Sequence, residues 1–226
     1  MKKISIILFA SFLSFASLAQ DENTVPEKQS LLNVKFNMLA LFDPVSSYQF
    51  SIEYGIGNQF SLQHEFGWIT NYTPFYYGRN KDLSGYRLRN ELRYYILNKK
   101  KNIRNSPYTS AEILWLKGTL TQEGEFAMDD WSYFETKEYS QTKSIFAFHQ
   151  KIGYQFQIPN SRALIDLYVG GGMRSINRTS EMPTEGDLTS SDNGLDFFNG
   201  ISGSSDGFRI IPSFVIGYKI GVFLGK

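Results

Sequence analysis

The sequence predicts an all-β fold: a single antiparallel, eight-stranded, up-and-down transmembrane β-barrel. Apolar and polar residues alternate with strand period through most of the chain, and no stretch shows helix period. The polar positions carry charges of both signs and many glycines, which suits a packed barrel interior better than a solvated surface. The apolar face would then meet lipid, where the sheet must close because no strand edge can stay unpaired.

The stretch from Tyr48 to Trp68 shows the alternation most clearly. Its even positions are almost all apolar and its odd positions are polar or glycine, so it predicts two strands around a turn at 57–59. Residues that pair across a hairpin share a face, and both strands put their even positions on the apolar face. The loop must therefore hold an odd number of residues, and three fits.

The N-terminus has the three parts of a secretory signal peptide. Lys2 and Lys3 precede an apolar run from Ile4 to Leu18, and a small-residue cleavage site ends at Ala19. The apolar run is shorter than the ~20 residues that span a membrane as a helix. We therefore expect a signal peptide over 1–19, a flexible lead over 20–30 and an outer-membrane barrel domain over 31–226.

Composition excludes several classes of site and partner. The 226 residues include no cysteine, which excludes disulfides, thiolate metal sites and a lipidated cysteine. A net charge of +1 gives no bulk attraction to nucleic acid, so no nucleic-acid partner is expected. No cofactor and no metal site is predicted either.

The first and fourth strands flank the hairpin. In the first strand, Leu32–Leu41, Val34 and Phe36 oppose Lys35. The fourth strand, Gly85–Leu97, sets apolar residues against a face that carries four charges. Charges in such number need either water or partners. These four residues are Arg87, Arg89, Glu91 and Arg93.

Four further strands complete the predicted barrel. They are Tyr108–Lys117, Ser144–Gln157, Arg162–Arg174 and Gly207–Leu224. Pro212 removes one ladder donor from the last strand, so a bulge or a local weakening is expected there.

The connections alternate mostly between short and long, which is typical of membrane barrels with short periplasmic turns and long external loops. The basic turn Lys99–Arg104 falls on the periplasmic side, and the acidic connections fall outside. The long loops are expected at Asn71–Ser84, Gly118–Thr142 and Ser175–Asp206.

The charged face predicts an interior network of ion pairs, with glycines that leave room for arginines. A soluble, lipocalin-like barrel would instead keep its apolar face inside, and this alternative stays open. The residues expected in the interior network are Glu53, Glu65, Arg87, Arg89, Glu91, Arg93, His149, Lys151 and Asp166.

Register gives a further expectation for strands three and four. If Phe66 faces Leu88, then Glu65 faces Arg89 inside, and His64 faces Asn90 on the lipid side. The polar pair His64–Asn90 marks either a membrane-interface position or a contact with another protein or a lipid head group.

Three segments carry a family resemblance: Ile52–Gly55, Asn90–Tyr95 and Pro212–Tyr218. The chain resembles small Gram-negative outer-membrane barrels of the OmpA and OmpX kind, and more closely still barrel families of unknown function. The resemblance implies export to the outer membrane of a Gram-negative bacterium, with outer-membrane lipid as its surroundings.

Chemistry-bearing motifs are few, and no catalytic residue is predicted. His149 points inward near Lys151 and Asp166, and a histidine–carboxylate pair can orient a general base. A lone interior histidine among charges is more typical of a structural ion network. His64 has no serine with a carboxylate beside it.

The aromatic loop residues Tyr72, Phe75 and Tyr76 are candidates for contact with an extracellular protein or glycan, or with lipid head groups. The expected function is that of a non-enzymatic outer-membrane barrel with a charge-plugged interior and extracellular loops for interaction or envelope integrity. An outer-membrane lipid-modifying enzyme and a soluble exported ligand-binding barrel are the alternatives. The oligomeric state is left open.

Overall fold

The structure, a computed structural model, describes residues 32–42, 46–56, 59–69, 82–96, 105–181, 183, 187–190 and 206–224. The predicted signal peptide (1–19), the lead (20–30), the basic turn Lys99–Arg104 and the aromatic residues Tyr72, Phe75 and Tyr76 lie outside these ranges.

The described chain is all-β, and every strand pairing is antiparallel, as the alternation predicted. One sheet of nine strands closes in a ring, because β4 pairs with β5 and β1 pairs with β9. Among the described strands, β8 pairs with β5 alone and stands outside the closed cycle of pairings. The strands are β1 (Leu32–Asn37), β2 (Ser47–Gly55), β3 (Phe60–Ile69), β4 (Asp82–Tyr95), β5 (Ser106–Met128), β6 (Tyr133–Gln157), β7 (Ala163–Glu181), β8 (Asp187–Ser190) and β9 (Gly207–Phe223).

The predicted register is confirmed in the β2–β3 hairpin and between β3 and β4. Gly55 pairs with Ser61, and the Ile56 N–H donates to the Phe60 carbonyl, so the loop length is odd. Across β3 and β4, Phe66 faces Leu88, and His64 faces Asn90.

The predicted long loop Gly118–Thr142 is wrong. β5 and β6 continue through it as one hairpin, and Met128 pairs with Tyr133 across a four-residue turn. The segment is rich in Thr, Phe and Tyr, which favour strands, and the continuing ladder satisfies its backbone groups. Its acidic residues are therefore carried by a projecting β-hairpin.

The predicted loop Ser175–Asp206 is wrong in part for the same reason. β7 continues to Glu181 because β6, which begins at Tyr133, offers it a partner as far as Ser140. Thr121 is the last residue of β5 that pairs with β4. β8 pairs with β5 beyond it, with Phe126 opposite Leu188. The strand count of nine rather than eight comes from this added strand.

Two local expectations are also corrected. The first strand ends at Asn37, and Leu39–Leu41 forms a single 3-10 turn. The expected bulge at Pro212 is absent, because Met173 pairs with Pro212 without a register shift. β1 pairs with β9 only as far as Lys219. Among the described strands, Pro212 therefore has a paired neighbour on the β7 side alone, where its missing N–H is tolerated.

Within the described ranges, no helix is both long and apolar enough to cross a bilayer.

The two faces of the ring are inverted relative to an ordinary soluble protein, as the sequence predicted. Phe50 is 57% exposed and Phe148 is 52% exposed, whereas Arg93 is fully buried. Apolar side chains therefore point outward along the strands, and the charged side chains fill the interior.

Candidate functional site

The interior of the ring holds the candidate site. All nine residues of the predicted network are buried there, and three further charged residues, Lys35, Glu112 and Lys219, lie among them. Sequence patterning placed these three on the polar face but gave no reason to select them. Which inward side chains contact each other depends on how the sheet closes, because many contacts join strands that do not pair.

Asp166 is the centre of the first cluster of charges. Its Oδ2 lies 2.7 Å from Lys35 Nζ and 2.7 Å from Arg93 Nη1. Tyr108 donates its hydroxyl to the other oxygen, Oδ1, at 2.7 Å. The carboxylate thus accepts from three groups on three other strands, which fixes the strand positions around it.

Glu53 extends this cluster toward β2. Its Oε2 lies 2.6 Å from Lys35 Nζ and 3.5 Å from Arg93 Nη1. The hydroxyls of Ser61 and Tyr95 donate to Oε1, each at 2.5 Å. Every carboxylate oxygen in this cluster therefore has a partner, which is what makes a buried charge tolerable.

A second cluster joins the first through Arg93. The Arg93 Nε donates to Glu91 Oε1 at 2.8 Å, and Lys151 Nζ lies 2.6 Å from Glu91 Oε2. Lys151 also lies 2.5 Å from Glu112 Oε2 and sits over the Tyr168 ring, 4.4 Å from its centroid. Cations and carboxylates thus alternate without a break from Glu53 to Glu112.

Glu65 forms a third cluster. Lys219 Nζ lies 2.5 Å from Glu65 Oε2, and Arg89 Nη1 lies 3.3 Å from Glu65 Oε1. The predicted contact between Glu65 and Arg89 is therefore confirmed, with Lys219 as an additional partner. Arg87 is buried on the same inner face, one register step from Glu65, opposite Gly67.

The expected neighbours of His149 are wrong in part. Glu112, not Asp166, contacts the ring: Nδ1 lies 3.1 Å from Glu112 Oε1. The β5–β6 register sets Glu112 directly opposite His149, whereas Asp166 pairs with Gln155. On the other side, His149 Nε2 lies 2.9 Å from Ser213 Oγ.

The order Ser213–His149–Glu112 matches the connectivity of a nucleophile, a base and an orienting carboxylate. Sequence reasoning did not select Ser213 as a partner of His149. The alternation in β9, whose odd positions face inward, placed Ser213 inside but did not indicate which residue it contacts. Two features separate this arrangement from an open active site. Glu112 is shared with Lys151, and the Ser213 hydroxyl belongs to a side chain that is only 7% exposed.

An apolar layer covers this arrangement on the side toward the β5–β6 turn. Leu116, Ile145 and Ile211 lie two to four residues further along the strands that carry Glu112, His149 and Ser213, the other members lie on β3, β4 and β7, and all are buried or half-buried. The layer separates Ser213 from the projecting hairpin. It consists of Ile69, Leu116, Ile145, Ile176, Leu83 and Ile211.

Gly153, Gly170, Gly217 and Gly221 make room for tyrosine and lysine side chains and not for arginines as expected, whereas Gly67 lies beside Gln49 and Arg87. A Cβ on Gly217 would overlap the phenol of Tyr168, and one on Gly221 would lie 2.8 Å from Lys35 Cγ. The glycines therefore allow large side chains from neighbouring strands to lie flat across the interior.

The β5–β6 turn exposes a second group of polar and aromatic side chains. Trp131 is 63% exposed and Phe134 is 58% exposed, and their rings meet edge to face at 6.3 Å. Asp129, Asp130 and Trp131 all have left-handed backbone angles, with φ of 48°, 49° and 71°. Sequence reasoning missed this tip because it treated the segment as a loop.

The described residues contain no group of three or more His, Cys, Asp or Glu side chains that could hold a metal ion. The fold and the site define a class: an all-β protein whose antiparallel sheet closes in a ring, with ion pairs inside and apolar side chains outside. The chain belongs to the family described as "Protein of unknown function (DUF3575)", whose model matches residues 6–179. No curated protein and no solved structure matches the chain.

Proposed function

We propose that this protein is an eight-stranded β-barrel of the Gram-negative outer membrane. In this proposal β8 is an accessory strand, and the other strands span the bilayer. The barrel is not an enzyme and does not conduct, because its interior is filled by ion pairs. Its external hairpin and loops contact an extracellular protein or glycan, or contribute to the integrity of the envelope.

One observation carries the proposal: the apolar face of the ring points outward. Phe214 is 87% exposed, Ile216 is 76% exposed and Trp68 is 66% exposed. Water penalises so much apolar surface, whereas lipid favours it. Lipid also demands that every strand edge be paired, and a closed ring of strands meets that demand.

The filled interior disfavours the soluble ligand-binding alternative. A carrier needs an empty apolar cavity, but Arg93, Tyr108 and Lys151 are each buried in the centre of the ring. The ion pairs that hold them would have to break before a ligand of any size could enter.

The lipid-modifying alternative draws support from one observation, the contacts among Ser213, His149 and Glu112. These residues face the interior and lie beneath an apolar layer, so a lipid ester at the outer surface would not reach the serine. The arrangement is better explained as a member of the structural network.

Fractionation of cells that express the full chain tests the proposal. We expect the protein in the outer-membrane fraction, extractable only with detergent, and with a heat-dependent shift in gel mobility. Protease added to intact cells should cut within the projecting hairpin near 129–132. Recovery of the protein from the soluble periplasmic fraction without detergent would overturn the proposal.

A further inference from the structure

Tyr54, His64 and Asn90 form a hydrogen-bonded chain on the outer face of the ring. His64 Nδ1 lies 2.6 Å from Asn90 Oδ1, and His64 Nε2 lies 3.2 Å from the Tyr54 hydroxyl. An amide oxygen only accepts, so Nδ1 donates to Asn90, and in that tautomer Nε2 accepts the Tyr54 O–H. All three side chains are exposed.

His64 and Asn90 lie in the middle of the outward apolar rows, and Tyr54 lies one outward position nearer the β2–β3 turn, opposite Leu62. His64 and Asn90 are the central members, and roughly 14 Å of strand separates each of them from either end of its row. The apolar band of a membrane barrel is about 25 Å tall, so the pair lies near its mid-height. The rows are Phe60, Leu62, His64, Phe66 and Trp68 on β3, and Tyr94, Leu92, Asn90, Leu88 and Tyr86 on β4.

The chain leaves hydrogen-bonding capacity unused. The Asn90 amide nitrogen has two N–H groups, and neither has an acceptor among the residues that the structure describes. The Tyr54 oxygen keeps a lone pair after donating to His64. Acyl chains offer neither donors nor acceptors at mid-height, and head groups lie at the edges of the band. Only another membrane-spanning protein brings polar side chains to this depth.

We infer that a second copy of this chain covers the face in a two-fold dimer, where each Asn90 amide donates to the partner's Tyr54 hydroxyl. This inference rests on the proposed membrane location. Two copies inserted in the same direction carry these residues at the same depth. A two-fold contact needs a donor and an acceptor on one surface, and Asn90 and Tyr54 supply them. Ile52 and Ile113, which flank the pair in register, provide apolar contact around it.

Single-cysteine crosslinking in membranes tests this dimer, because the natural chain has no cysteine. Ile113→Cys lies beside Asn90, and Val169→Cys on β7, which is 50% exposed, is the matched control. With a short membrane-permeable bis-maleimide, we expect a covalent dimer from Ile113→Cys and not from Val169→Cys. Adding Asn90→Leu should weaken self-association about ten-fold, as the loss of two hydrogen bonds within a membrane implies. Tyr54→Phe, which keeps the ring, should do the same.

Several results would overturn the dimer. These are a monomeric Ile113→Cys protein, equal crosslinking from both cysteines, adducts with a different protein, and no effect of Asn90→Leu or Tyr54→Phe in variants that keep the heat-dependent gel shift. The membrane fraction is isolated first, so the two proposals fail separately. A chain that is absent from this fraction contradicts the membrane location, whereas a membrane-embedded monomer contradicts the dimer alone.

Discussion

Arg93 on β4 donates to Asp166 on β7 at 2.7 Å, although no ladder joins these two strands in the described sheet. The contact therefore crosses the interior and ties together opposite walls of the ring. Both side chains are fully buried, and Lys35 shares the same carboxylate oxygen at 2.7 Å. Asp166 thus bridges two cations from different strands, and both of these cations also contact Glu53.

Replacing Asp166 with Asn tests this arrangement. The amide keeps the shape but leaves Lys35 and Arg93 with less charge compensation, and breaking a buried ion pair costs about 3–5 kcal/mol. We expect the free energy of unfolding, measured by denaturant titration in detergent micelles, to fall by that order. Glu138→Gln, at an exposed position on the projecting hairpin, is the control and should change little. Equal stability of the two variants would show that the crossing contact does not hold the ring.

Gly217→Ala tests the packing of Tyr168 across the interior. The new Cβ would overlap the Tyr168 ring, and overpacking of this kind typically costs about 1–3 kcal/mol. Gly217→Ala should lower the free energy of unfolding less in a Tyr168→Leu background than in the natural protein, because residues in contact do not have additive effects. Gly207→Ala is no substitute control, since its φ of 125° adds backbone strain. Additive effects in the double-mutant cycle would contradict the proposed contact.

Planar-bilayer recording tests whether the ion pairs close the interior. We expect the purified protein to show no steady conductance, because Arg93, Lys151 and Tyr168 lie across the centre and are buried. Truncating two of these side chains, as Lys151→Ala with Tyr168→Ala, should admit water and produce small steps of current. An open porin in the same bilayer is the control. Large, steady pores from the natural protein would contradict the plugged interior.

A fluorophosphonate probe tests whether Ser213 is a nucleophile. We expect no labelling of the folded protein, because the serine is covered and Glu112 is shared with Lys151. An established serine hydrolase in the same sample confirms that the probe is active. Labelling that disappears in both Ser213→Ala and His149→Gln would favour the enzyme alternative.

Much of the ring could be predicted because its faces differ so strongly. Alternation identified the strand pairs, and the rule that paired residues share a face fixed the register of His64 with Asn90. The β5–β6 extension escaped prediction, since residues 133–136 of β6 are all exposed and the alternation is lost there. Phe126 and Tyr139, which are buried, were the remaining signal.

The site was predictable in its membership but not in its contacts. Inward positions can be counted along each strand, so all nine selected residues are buried, although Lys35, Glu112 and Lys219 were left out of the selection. Which charges meet depends on contacts between strands that are not neighbours, such as Arg93 with Asp166, 73 residues apart. His149 illustrates the limit, because one partner, Glu112, comes from the neighbouring strand β5, whereas the other, Ser213, comes from β9, which pairs with β7 and not with β6.

The tip of the β5–β6 hairpin has three consecutive residues with left-handed backbone angles. Trp131 has a φ of 71°, and a left-handed backbone costs a residue with a side chain about 1–2 kcal/mol. Strain of this kind persists where a side chain serves binding. We therefore expect Trp131→Gly to slow amide hydrogen exchange in the hairpin relative to Trp131→Ala, because glycine removes the strain and alanine keeps it. Under the proposed function, both variants should reduce attachment of intact cells to an extracellular protein or glycan equally, since both remove the indole. Faster exchange in the glycine variant would refute the strain, and undiminished attachment would refute a binding role for Trp131.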